Sequence, residues 1–287
     1  MKSIPPPHPS PRRPRFALPP GACDAHCHVF GPASRFPYAE NRRYTPPDAP
    51  SEKLAALHRH LGISRAVLVQ ASAHGFDNGA MLDAIAHDPV NRRGVAMVEP
   101  ATSDAELERL HLGGVRAVRY NFVRHLGGAP DAAAIETMAR RIEPLGWHLV
   151  LHLDAEDLVE HGRFLHGLAV PFVIDHMGRV AAGEGLGQPA FRRLLALLRE
   201  GLAWVKVSGA ERVSTALGDF SDAVPFAAAL VAAAPERVLW GTDWPHPNVR
   251  VMPDDGALVD LIPAIAPDEG ARAKLLVENP ARLYWRN

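Results

Sequence analysis

Cys23-Asp24-Ala25-His26-Cys27-His28-Val29-Phe30 is the stretch on which the reading of this chain turns. Side chains alternate between faces along a strand, so His26 and His28 point the same way. Two imidazoles at the end of an early strand can hold a metal ion or polarise a carbonyl. The spacing alone is weak evidence, because two histidines two residues apart arise easily by chance. Its meaning depends on what the fold brings to the same place.

Seven further short apolar runs follow, separated by helical segments: residues 65–70, 94–98, 115–120, 147–152, 172–176, 204–208 and 238–242, after the first at 22–29. Near-continuous apolar strands alternating with helices indicate a parallel sheet covered by helices. Eight such units in 287 residues predict a distorted (β/α)8 TIM-type barrel rather than a doubly wound sheet. No Gly-x-Gly-x-x-Gly turn follows the first run, which removes the main support for a dinucleotide-binding alternative. The intervening helices read as amphipathic, with one stripe at Leu54, Leu57, His58 and Leu61 and another at Phe191, Leu194, Leu195 and Leu198. Two connections, residues 31–50 and 180–188, are long enough to serve as lids or substrate contacts. Residues 1–20 form a proline-rich arm expected to lie on the body or to be partly disordered, and residues 21–287 one catalytic barrel.

Composition narrows the partners. A hydrophobic fraction of 47% suits a globular protein with a sizeable core. A formal net charge of -1 offers no basic field for nucleic acid and no polybasic membrane patch. No apolar run approaches the length of a membrane span, and no secretory apolar stretch opens the chain. The two cysteines, Cys23 and Cys27, fall in one strand roughly 13 Å apart, beyond disulfide reach, which fits a cytoplasmic protein. Monomer and homodimer are both open.

Barrels of this kind carry their chemistry at the C-terminal ends of the strands. There the sequence places His26 and His28 on the first strand, Ser72 and His74 after the second, and Arg119 and Asn121 on the fourth. His152 ends the fifth strand, Asp175 and His176 the sixth, Ser208 the seventh and Asp243 the eighth. Packing requires no such arrangement, so the polar ends are read as one converging site. Asp243 suits a general base or a metal ligand. Arg119 closes a buried-looking strand, where its charge needs an anionic partner or substrate. His58, His60, His87, His111 and His125 read as surface residues.

Taken together, the residues resemble the amidohydrolase superfamily, in the branch of 2-pyrone-4,6-dicarboxylate lactonases and related lactone hydrolases. The matching segments are residues 21–32 around His26-Cys27-His28, Val69-Gln70-Ala71-Ser72-Ala73-His74-Gly75, Val173-Ile174-Asp175-His176-Met177-Gly178-Arg179, and Trp240-Gly241-Thr242-Asp243-Trp244-Pro245-His246-Pro247-Asn248. Asn279-Pro280-Ala281-Arg282-Leu283-Tyr284-Trp285 is also similar. The resemblance implies a hydrolase that opens a small carboxylate- or sulfonate-bearing lactone in the catabolism of aromatic-derived compounds. It implies that Asp243 activates water, that His26, His28 and His176 surround the attacked carbonyl, and that Arg119 and Arg212 hold substrate anions. Tyr44, Ser72 and Asn248 match further substrate contacts, with His74 and Asn121 added from their places at the strand ends.

Two departures from the branch stand out. Its members carry a tyrosine where this chain has His152, and a second arginine that aligns with His125, next to Arg124. Metal-dependent amidohydrolases use the His-x-His pair, a fifth-strand histidine and the eighth-strand aspartate as ligands, and His26, His28, His152 and Asp243 reproduce that set. The resemblance therefore implies one divalent ion, zinc by ligand type, with a metal-free mechanism as the alternative. A metal-dependent decarboxylase or hydratase of an unsaturated acid, and a non-catalytic binding protein on the same barrel, are the competing readings.

Overall fold

The structure, a computed structural model, describes residues 2–128, 130–216 and 218–286. Met1 of the arm and Ala129, Leu217 and Asn287 of the expected barrel lie outside the described residues. Eight parallel strands form the barrel: β1 (Cys23–Cys27), β2 (Arg65–Val69), β3 (Arg92–Ala96), β4 (Val115–Asn121), β5 (His148–His152), β6 (Phe172–Ile174), β7 (Ala203–Lys206) and β8 (Val238–Leu239). Each pairs with its sequence neighbour, so the ladder runs unbroken from β1 to β8. The ring is closed by backbone hydrogen bonds: Ala25 N donates to Trp240 O at 2.9 Å, Asp243 N to His26 O at 2.7 Å, and His28 N to Trp244 O at 2.8 Å.

The seam is tight because of two residues. An added Cβ at Gly241 would lie 2.5 Å from the His26 backbone nitrogen, so only glycine lets the two chains approach. Asp24 accepts from Thr242 N at 3.0 Å and from Thr242 Oγ1 at 2.6 Å, and its other carboxylate contacts are His26 N and His58 Nε2, each at 3.1 Å. Strict alternation along β1 would put Asp24 on the same face as His26. The pairing of β1 with β2 instead shifts register between Asp24 and Cys27, and Asp24 meets His58 of the helix Ser51–Leu61. His58 is therefore a buried partner of Asp24, as its place on the stripe with Leu54, Leu57 and Leu61 requires, and not a surface residue.

Small and β-branched side chains fill the barrel interior, among them Ala25, Val67, Val69, Val95, Ala117, Val150 and Val173, with Tyr284 buried against them. A larger apolar layer lies between strands and helices. In the helix Pro189–Glu200 the buried stripe is Phe191, Leu194, Leu197 and Leu198; Leu195, expected inside, is only partly covered. The arm is tied down rather than loose. Lys2–Ser3 pairs in parallel with Tyr44–Thr45, and Asp260 accepts from the backbone nitrogens of Arg15 at 2.7 Å and Phe16 at 2.9 Å. Both cysteines are free and buried. No helix among the described residues is long and apolar enough to cross a membrane.

β6 and β8 end earlier than the apolar runs suggest, before Asp175 and Trp240 respectively. His176, Met177 and Arg179 then take left-handed backbone with φ of 50°, 54° and 52°, and Asp243 does so with φ of 65°. Such conformations cannot continue a ladder, so His176 and Asp243 sit just beyond the strands. Substituting Gly241→Ala is expected to lower the unfolding free energy by about 2 kcal/mol or more, because the clash falls on backbone. Equilibrium denaturant melts check this, and an unchanged midpoint would show that the seam can relax.

Candidate active site

The end of β1, the turn after β6 and the loop after β8 meet around one carboxylate oxygen. Oδ1 of Asp243 lies 3.2 Å from His28 Nε2, 3.5 Å from His26 Nε2 and 3.8 Å from His176 Nε2. The other oxygen, Oδ2, accepts from Arg212 Nε at 2.7 Å and also contacts its Nη2. Burial pushes the Asp243 carboxyl up, but Arg212 and the surrounding imidazoles outweigh it and hold it well below the usual carboxylate range. Asp243 is thus kept ionised. Burial does the reverse to His176 and His152, whose protonated forms are disfavoured well below the ordinary imidazole range.

A small cavity of about 30 Å³ opens onto Asp243 and is lined by His28, Tyr44, Ser72, Arg119, His152, His176, Arg212 and Asn248. Those expected site residues are therefore brought together. His26 stands behind them, fully buried. Tyr44 hydrogen-bonds to Ser72, and burial, the larger influence, moves its hydroxyl up to about 12. Gly209, after β7, has φ of 74°, and a Cβ there would lie 2.8 Å from His176 Nδ1. The missing side chain makes room for that imidazole.

Two expected contacts are placed elsewhere. His74 does not line the cavity: its Nδ1 lies 3.1 Å from Pro37 O, its Nε2 accepts from Gly31 N at 3.3 Å, and its ring packs on Phe30 and Tyr38. It braces the long loop of residues 31–50. Asn121 reaches the site only through His152, its Oδ1 lying 3.1 Å from His152 Nδ1. Arg124 does not stand in for the arginine that aligns with His125; its guanidinium is exposed and lies 3.7 Å from Glu160. His125 itself lines the cavity, and so does Arg179, whose Nε donates to Asp154 at 2.9 Å.

Sequence reasoning missed the buried network beneath the site. Asp175 accepts from Arg119 Nε and Nη2 at 3.1 and 3.0 Å, and this carboxylate is the anionic partner that Arg119 needs. Lys206, fully buried on β7, lies 2.9 Å from His26 Nδ1 and 3.2 Å from Asp175 Oδ1. The available signal was a lysine inside the apolar run Ala203-Trp204-Val205-Lys206-Val207, two residues before Ser208 and hence on its face.

Several groups of described residues could hold a metal ion, among them His26, His28 and Asp243, whose ligand atoms lie within 4.8 Å of one another. His152 is not in that group; it packs on His176 with ring centroids 5.5 Å apart. Four ligands are therefore not assembled, but three are. Two buried nitrogens, His26 Nε2 and His152 Nε2, have no hydrogen-bond partner.

Residues 23–286 match the family model described as amidohydrolase. The chain is 49% identical over 286 residues to the 2-pyrone-4,6-dicarbaxylate hydrolase of Comamonas testosteroni, covering 96% of this chain and 94% of that protein. It is 42% identical to the 4-sulfomuconolactone hydrolase of Rhizobium radiobacter, covering 94% and 91%. A solved structure from Agrobacterium tumefaciens superposes with a TM-score of 0.85 at 31% identity, covering 96% of this chain and 99% of that one.

His246 belongs to the motif after β8 but not to the cavity. It is buried, with Nε2 3.0 Å from Asp255 and Nδ1 3.8 Å from Glu211. Burial opposes its charge, yet the two carboxylates prevail and raise its pKa to about 10. A group raised on folding stabilises fully below its unfolded value of about 6.5 and loses that contribution as pH climbs through the folded value. Unfolding free energy should therefore fall between about pH 6.5 and 10 more steeply in wild type than in His246→Gln. Urea melts across that range test it, and parallel profiles would remove the assignment.

Proposed function

The chain belongs to the amidohydrolase family, and from that premise we propose that it hydrolyses a small lactone bearing carboxylate or sulfonate groups. The observation that carries this reading is Asp243: an ionised carboxylate ringed by three imidazoles and opening onto a cavity lined by Arg119, Arg179 and Arg212. Binding alone has no need of such a base. The names of the relatives, hydrolases of a pyrone dicarboxylate and of a sulfomuconolactone, support anionic lactones as the substrate class.

Asp243 Oδ1 takes a proton from water as the water oxygen bonds to the ring carbonyl carbon. Imidazole N–H groups beside it stabilise the carbonyl oxygen as it gains negative charge. When the C–O ring bond breaks, Asp243 returns the proton to the departing oxygen, leaving a hydroxyl group and an open-chain carboxylic acid that releases its remaining proton to solvent. Arg119 and Arg212 orient the substrate's anionic groups. Arg212 has a second effect. In the free protein its guanidinium is spent on Asp243 and on Pro247 O at 2.9 Å. A substrate carboxylate competes for those donors, so binding restores basicity to Asp243 as the water is positioned.

A second reading places one zinc ion on His26, His28 and Asp243, and it is favoured by the unpartnered Nε2 atom of His26. Bound there, the metal would polarise the carbonyl and acidify water.

Turnover of a panel of carboxylate- and sulfonate-bearing lactones, followed by acid release, tests the reaction class; CO₂ release without ring opening would instead indicate a decarboxylase. Asp243→Asn should lower kcat on the order of 1000-fold or more while substrate binding stays measurable. Near wild-type turnover in that variant would show that another group is the base. Protein purified without added metal should be assayed with and without chelator beside elemental analysis. Full activity at negligible metal content supports the first reading, and chelator-sensitive activity with one equivalent of zinc supports the second.

A further inference from the structure

Lys206 plays no part in the mechanism above, although it is fully buried beneath the reacting groups. Arg119 covers only Oδ2 of Asp175, through Nε and Nη2, and Lys206 lies 3.2 Å from the other oxygen, Oδ1. A second buried cation carries a desolvation cost that an apolar side chain of similar length would avoid. What sets this lysine apart is its contact with one particular nitrogen, His26 Nδ1, at 2.9 Å.

An ammonium group donates hydrogen bonds and accepts none, so His26 Nδ1 must accept. A neutral imidazole carries a single N–H, and with Nδ1 accepting, the proton resides on Nε2. Asp175 Oδ1, 3.2 Å from the same Nδ1, would require the opposite tautomer, because a carboxylate only accepts. One nitrogen cannot satisfy both neighbours. The lysine contact is the shorter and has hydrogen-bond geometry, whereas Asp175 Oδ1 has no hydrogen-bond partner.

His28 has different neighbours: its Nδ1 lies 2.7 Å from Val69 O and its Nε2 3.2 Å from Asp243 Oδ1, so both of its nitrogens face acceptor oxygens.

We propose that Lys206 is a positioning residue that fixes His26 as an Nε2–H donor to the attacked carbonyl oxygen. The assignment rests on the lactone-hydrolase reading for its catalytic consequence, but the tautomer stands on geometry alone.

Nitrogen-15 NMR of histidine-labelled wild-type protein, with no substrate or metal added, reads the tautomers directly; the signals are assigned by their loss in His26→Asn and His28→Asn. The expected result for His26 is a single proton, on Nε2. Lys206→Met is expected to move the His26 proton to Nδ1, toward Asp175. It should also lower kcat on the order of 100-fold, as for loss of one oxyanion donor, with KM within about threefold. A proton on Nδ1 of His26 in wild type overturns the proposal even if Lys206→Met does not fold, and so does an unchanged tautomer in a folded Lys206→Met. Because the tautomer is read without substrate, a lactone panel that shows no turnover would sink the functional reading without touching this one.

Discussion

Everything at the mouth of this barrel depends on the seam between β1 and β8. Three backbone hydrogen bonds join them, and one of these, Asp243 N to His26 O, ties Asp243 directly to the histidine pair. The pairing needs Gly241, because a methyl group there would sit on the His26 backbone nitrogen. It also needs Asp24, which takes hydrogen bonds from both chains and is braced from outside by His58. Closing the ring is what puts a residue from position 26 within reach of one from position 243. The Asp243 carboxylate is therefore placed by fold closure, not by a local turn alone.

Beneath that seam lies a layer of buried charge: Asp175, Arg119, Lys206 and, through Lys206, His26. Such a layer is a poor source of net stability, since desolvation offsets most of the attraction. Removing one partner is another matter and costs roughly 3–5 kcal/mol, because the remaining charge is left buried and unpaired. The layer makes chemical sense as a fixed field. It orients the imidazoles above it in advance, which in the proposed hydrolysis leaves little reorganisation for when charge develops on the carbonyl oxygen.

The same logic applies to the backbone. His176, Arg179, Asp243, His246 and Asn248 all adopt left-handed conformations that non-glycine residues avoid, at roughly 1–2 kcal/mol each. All lie just past β6 or β8. Turning the chain back there is what aims His176 and Asp243 across the mouth instead of along the barrel wall. The surrounding core and the seam hold these turns in place, and they concentrate where the chemistry is.

Much of this was legible in the chain itself. Strand alternation and the recurrence of apolar runs are local properties, so eight strands, their order and the polar residues at their ends follow from the sequence. His26 and His28 on one face, and Asp243 after the last strand, come from the same local periodicity. The partners of each group depended on contacts between residues far apart in the chain. His152 resembled a metal ligand by its place at a strand end, yet its ring packs on His176 outside the ligand group. His74 shared that kind of place and instead braces a loop. The partners of Asp24, Asp175 and Lys206 carried no such signal, because a charge inside or just past a strand looks the same whether it is solvated or paired. Only the closed barrel decides that, by excluding water and leaving each buried charge the neighbours from which it must take its proton or its partner.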